Sequence, residues 1–124
     1  MFRTLSIALL TMFSASALAK ADCQALDERA QTADAMVMET GSGRDIVGKG
    51  RVQFYSGPTL TCKMPGIFVI PGDLLFASYQ SGAFTRVSFI ALRKTDKKDV
   101  EGWVLTSRLR ENGNGIVPGV HIFQ

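Results

Sequence analysis

From Gly50 onward the chain is a succession of short apolar runs divided by turn residues, and this pattern restricts it to a small β architecture. The runs cover residues 51–56, 66–70, 74–79, 84–92 and 102–105. Ser56-Gly57-Pro58, Pro71-Gly72-Asp73, Ser81-Gly82 and residues 95–99 divide them. Strand-length runs at such close spacing, with glycine and proline between, indicate a small all-β sandwich or barrel. Within the runs the side chains alternate as half-buried strands require. Thr85, Val87 and Phe89 point one way, and Arg86 and Ser88 the other. Val52 and Phe54 alternate in the same manner with Arg51, Gln53 and Tyr55. Phe54, Phe68, Phe76 and Phe89 are the expected aromatic core.

The segment before Gly41 differs. Leu26, Ala30, Ala33 and Val37 recur at steps of four, three and four, which predicts a helix over residues 22–39. Asp22 is placed to cap its start and Gly41 to end it. A short strand over residues 35–39 is the rival reading, because Met36-Val37-Met38 is apolar. Gly41, Gly43, Gly48 and Gly50 then read as a linker. The tail, 112–124, is glycine-rich and ends in Val120-His121-Ile122-Phe123, either an added edge strand or a loose end.

The extreme N-terminus has the three parts of a secretory signal. Arg3 supplies the positive start, residues 5–13 an apolar stretch, and Ala17-Leu18-Ala19 an A-x-A cleavage site before Lys20. About nine apolar residues cannot cross a hydrocarbon core that needs about 20. Cys23 follows Asp22, whereas acylated cysteines follow small residues, so a lipid anchor is disfavoured. The expected mature chain of about 105 residues suffices for one domain. Loss of Arg3 leaves 13 basic against 11 acidic residues, a net charge of +2. That balance offers no electrostatic footprint for nucleic acid. The cluster Arg93, Lys94, Lys97 and Lys98 is interrupted by Asp96 and Asp99, and reads as a solvated hairpin tip. The expected location is the periplasm, with full secretion as the alternative and no membrane insertion after cleavage.

Cys23 and Cys62 are the only cysteines. In an exported chain an even count favours a disulfide. The bridge would close a loop of about 40 residues, stabilising by about 4 kcal/mol on the chain-entropy argument.

Residues 50–110 resemble the bacterial SH3-like (SH3b) family. Val52-Gln53-Phe54-Tyr55-Ser56-Gly57-Pro58 looks like its opening strand and turn. Pro71-Gly72-Asp73 before residues 74–79 looks like its central glycine turn and strand. Glu101-Gly102-Trp103-Val104, then Leu109, looks like its closing strand and short final turn. Ala83-Phe84 stands where the family often has Gly-Trp, and residues 92–100 exceed the usual tight hairpin. The resemblance implies a five-stranded barrel, here preceded by a short helix, in exported or cell-envelope proteins that recognise peptidoglycan peptides or protein partners without catalysis. The expected layout is a signal peptide at 1–19, helix and linker at 20–47, the SH3-like domain at 48–111 and a tail at 112–124.

Little in the sequence suggests catalysis. His121 is the only histidine and sits in the tail, the acidic residues are scattered singly, and one histidine with two paired cysteines builds no zinc site. The glycines at 41–43 and 48–50 lack the setting of a phosphate loop. No metal and no cofactor is therefore expected. Tyr55, Tyr79, Phe84 and Trp103 lie at strand ends or in the opposite phase to the core. With Pro58 they are the expected ligand-binding groove, a shallow platform for a cell-wall peptide or an envelope protein. The alternative for Tyr55 and Trp103 is that they cap the barrel. Asp73 is read as closing its own turn by bonding neighbouring amides. A small periplasmic inhibitor or immunity protein, blocking a wall-degrading enzyme or toxin, is the competing function.

Overall fold

The computed structural model describes residues 15–37, 41–91 and 98–114, with side chains from Asp22 onward. A helix, α1 (Ala15–Ala30), precedes seven strands: β1 (Gly43–Ile46), β2 (Val52–Tyr55), β3 (Lys63–Val69), β4 (Leu74–Ser81), β5 (Phe84–Phe89), β6 (Val100–Leu105) and β7 (Leu109–Glu111). Single 3-10 turns occupy Ala33–Ala35, Leu60–Cys62 and Thr106–Arg108. The strands form one antiparallel sheet in the order β3-β2-β6-β5-β4-β1-β7. The chain is thus mainly β with one short helix, and the sheet has seven strands in open order rather than five.

The connection between β1 and β2 shows that this sheet is curled. The two strands stand four places apart in the order, about 19 Å if the sheet were flat. The few residues joining them reach about 20 Å only when fully extended. They are not extended, since Gly48 and Gly50 both have positive φ, at 82° and 81°. Arg108 gathers this loop, donating from Nε to the Val47 carbonyl at 2.7 Å and from its two Nη atoms to the carbonyls of Lys49, Gly50 and Arg51. The sheet must bend to bring the ends of β1 and β2 together.

Its concave face holds the main core: Ile46, Val52, Phe54, Val69, Leu75, Ala77, Val87 and Val104. Of the expected aromatic core, Phe54 is fully buried, while Phe89 only packs against the edge of the cluster. Phe76 is half-buried. Phe68 lies outside, with the Arg51 guanidinium 4.2 Å above its ring. Gly102 packs tightly on this face, because a Cβ there would stand 3.0 Å from both Phe54 Cδ1 and the Tyr55 carbonyl oxygen.

Several boundaries differ from the sequence expectation, and the helix begins at Ala15, before the expected cap at Asp22. The helix over 22–39 ends at Ala30; Thr32 is already extended, and Met36 forms an antiparallel bridge to Tyr79. Val37 donates its amide to the Ser78 carbonyl at 3.1 Å, so the rival strand reading describes this end of the segment better. An alanine face buries too little to hold a further helical turn against the hydrogen bonds that a strand edge offers. Within the expected linker, residues 43–46 are strand β1, paired with both β4 and β7. Its polar side chains hid it. Arg44 is buried and donates to the Gly41 and Gly43 carbonyls, while Asp45 accepts from Asn112 and Arg110. The Asn112 hydrogen bond, helped by Arg110, holds the Asp45 carboxyl below its usual range.

The runs at 66–70 and 84–92 also shift, since β3 begins at Lys63 and β5 ends at Phe89. The hairpin tip at 92–97, most of the tail and His121 lie outside the described residues. Residues 15–19, at the expected cleavage site, are helical and continuous with the rest of α1. Among the described residues no helix is long and apolar enough to cross a membrane.

Gly102→Ala is expected to destabilise by about 1–3 kcal/mol, because the tight contact is with backbone as well as a packed ring. Urea unfolding of the two proteins checks it. An unchanged midpoint would show that β6 can move away from β2.

Candidate functional site

The convex face of the sheet carries a second cluster, and strand pairing builds it. Tyr55 on β2 lies opposite Trp103 on β6, and Trp103 lies opposite Arg86 on β5. Phe84 meets the Tyr55 ring edge-on, with centroids 5.2 Å apart and planes at 78°. A register shift between Ala77 and Tyr79 turns Tyr79 to this face, away from the concave core that holds Ala77. Four of the five expected groove residues are therefore brought together. The fifth, Pro58, sits half-buried in the loop after β2 and is not part of the cluster.

This platform is covered. Trp103 is 0% exposed, Phe84 6% and Tyr55 9%, whereas the groove reading requires accessible rings. The cover is α1, whose Leu26 and Ala30 pack on the aromatics and whose Cys23 is bonded to Cys62, with Cα atoms 5.7 Å apart. The fit at the disulfide is close, since a Cβ on Gly57 would stand 2.8 Å from the Cys23 carbonyl oxygen. The phase that opposes Tyr55 to Phe54 is real, but at Tyr55 and Trp103 the second face of the sheet is buried as well.

At the centre lies a polar contact that the sequence reading did not single out. The Trp103 indole Nε1–H donates to Asp27 Oδ1 at 2.7 Å. Arg86 Nε approaches the same oxygen at 3.4 Å, an ion-pair distance without hydrogen-bond geometry, so this buried N–H is unsatisfied. The guanidinium also reaches Glu101 through Nη2 at 3.3 Å, and Glu101 accepts from Ser88 Oγ. The signal for Asp27 was present: it stands one helical turn after Cys23, so the bridge that faces Cys23 toward the sheet faces Asp27 there too.

Beside Asp27 a cleft of about 460 Å³ opens to solvent, lined by Gln24, Asp27, Ser56, Lys63, Met64 and Pro65. It lies between α1 and the start of β3. A more apolar groove of about 320 Å³ lies along β3, lined by residues 66–69 with Phe89, Lys98 and Val100. β3 is an outer strand of the sheet, and its middle is interrupted by Pro65 and by Gly66 at φ 76°. Gln53 fills the interruption, donating from Nε2 to the Met64 and Ile67 carbonyls.

For other chemistry the described residues provide little. Both thiols are in the disulfide, and no group of three or more His, Cys, Asp or Glu is placed to hold a metal among the described residues. Asp73 closes its turn as read, accepting the Ile70 amide at 3.0 Å. No protein-family model, curated protein or solved structure matches the chain significantly.

Replacing Cys23 and Cys62 together by serine is expected to cost about 4 kcal/mol in urea unfolding, the chain-entropy value for the loop they close. Trp103 is the only tryptophan, so its quenching by acrylamide reports directly on the cover that α1 provides. The double variant should show faster quenching under native conditions. Unchanged quenching would mean that packing alone holds the helix in place.

Proposed function

We propose that the chain is an exported, non-catalytic binding module of the cell envelope, SH3-like in architecture, acting in the periplasm on peptidoglycan or on an envelope protein. The observation that carries this reading is the convergence of Tyr55, Tyr79, Phe84 and Trp103 on one face, under a helix and beside an open cleft. Aromatic faces with a few placed polar groups are what peptide recognition uses. The disulfide between Cys23 and Cys62 is compatible with export. Strand order among β2 to β6, with a 3-10 turn before the last short strand, supports the SH3-like description, to which β1 adds a further strand.

The second reading, an inhibitor or immunity protein, is favoured by β3. This outer strand exposes Phe68 beside an apolar groove, and a flat partner surface suits it better than a flexible wall peptide.

Both readings are tested with residues 20–124, disulfide intact, incubated with insoluble cell wall and separately with envelope extract. Co-sedimentation with the wall that survives salt supports wall recognition. Stoichiometric capture of one wall-degrading enzyme, without wall binding, selects the inhibitor. The absence of both results would overturn the binding-module reading.

A further inference from the structure

The contact among Asp27, Trp103 and Arg86 is chemically an occupied carboxylate site. A buried indole N–H requires an acceptor, and an anionic one makes the stronger bond. Arginine prefers to meet a carboxylate through a two-pronged fork. Here the fork is not achieved. Asp27 offers one oxygen, Oδ1, to both partners: 2.7 Å from the indole nitrogen in a hydrogen bond, and 3.4 Å from Arg86 Nε without one. Arg86 Nε is left buried and unsatisfied, and the guanidinium turns its Nη2 toward Glu101. With its backbone fixed on a helix one turn from a disulfide, Asp27 can adjust this geometry only through its own side-chain torsions. A carboxylate on a separate chain can shift its backbone as well.

We propose that Trp103 and Arg86 form a carboxylate-recognition site that the fold fills with its own Asp27, so that α1 is a strap over a groove whose external ligand is an acidic peptide. The groove's other contacts define the rest of that ligand. Leu26 and Ala30 pack on the aromatic cluster, so the peptide carries its acidic residue beside aliphatic side chains. The route in is the solvent-open cleft that Asp27 shares with Lys63, whose cation favours an anionic peptide at the entrance. The proposal deepens the binding-module reading and rests on it for its biological meaning, though not for its chemistry.

The test uses residues 20–124 with the disulfide intact, as wild type, Asp27→Ala, and Asp27→Ala combined with Arg86→Gln. One tryptophan means one indole N–H resonance, which reports the site without ambiguity. In Asp27→Ala, sodium acetate is expected to move this resonance saturably back toward its wild-type position, while sodium chloride at equal ionic strength does not. The response should fall at least fivefold when Arg86 is also changed. A capped Ala-Asp-Ala tripeptide should bind Asp27→Ala at least tenfold more tightly than wild type, and its Ala-Asn-Ala counterpart should not bind. Should Asp27→Ala unfold alone, recovery of the folded spectrum in acetate but not chloride, lost in the double variant, makes the same test.

Identical responses to acetate and chloride, or equal binding of the Asn tripeptide, would overturn the site. Equal binding of the Asp tripeptide to wild type and Asp27→Ala would overturn the strap. Envelope capture by both proteins separates the two levels. Capture without carboxylate dependence leaves the binding module standing and removes the site. Carboxylate rescue without capture from wall or extract leaves the site standing and removes the module.

Discussion

Everything on the convex side of the sheet depends on one hydrogen bond with its covalent neighbour: Trp103 to Asp27, and Cys23 to Cys62 four residues earlier on the helix. Three large rings on that face each have about 150–250 Å² to remove from water, on the order of 10 kcal/mol of gross apolar burial together. The sheet alone cannot bury them. The helix that does so is a poor partner by composition, since only Leu26 and Ala30 face the rings with Cys23. Their burial is worth about 2–4 kcal/mol, while ordering a helix costs about 1–2 kcal/mol per residue before its own hydrogen bonds are counted. A helix with so thin an apolar face stays docked because the disulfide removes much of the chain entropy that undocking would regain. Asp27 then gives the buried indole the acceptor it needs.

The same constraint explains what was legible in the sequence. Five of the seven strands announced themselves through apolar runs between glycine and proline turns, and concave-facing residues such as Val52 and Phe54 of β2 alternate with their neighbours. β1 was not legible, because Gly43-Arg44-Asp45-Ile46 carries one apolar side chain and is held by backbone pairing on both sides and by arginine and aspartate contacts. The cysteine pairing was legible, because only one pairing exists. The aromatic partition was half legible. Phase correctly separated Tyr55 and Trp103 from Phe54 and Val104, but a period of two cannot say whether the second face meets water or another element. Only the position of Cys23 in the helix hinted that it meets α1.

The two faces of the molecule therefore play different parts. On the concave face the curl forced by the short β1–β2 connection makes an ordinary core, tight enough that a Cβ at Gly102 would press on both Phe54 and the Tyr55 carbonyl. On the convex face the core is assembled from two separable pieces, a sheet and a tethered helix, with a cleft at their seam. The outer strand β3 contributes to that seam through Lys63, Met64 and Pro65, and breaks its own regularity there. A proline and a glycine in an outer strand weaken its power to recruit another strand. Edge-to-edge pairing is thus disfavoured where the cleft lies, and a ligand at the seam must be read by side chains.

The tether sets how strongly such a ligand must bind. A segment joined to its site through a short connection competes at an effective concentration of about millimolar, and a disulfide one turn away is among the shortest connections available. An external peptide offering only the contacts that Asp27, Leu26 and Ala30 already make would lose to the strap at any lower concentration. It gains by what the strap cannot supply, namely a carboxylate free to meet Arg86 as well as the indole, and further contacts along the cleft toward Lys63. Selectivity follows directly: a peptide lacking the acidic group would displace a charge-assisted bond, leaving the indole N–H without an acceptor and the guanidinium with Glu101 alone, which costs more than aliphatic contact returns. The imperfect geometry of the internal pair is then what allows the groove to be closed at rest and still open to a better ligand.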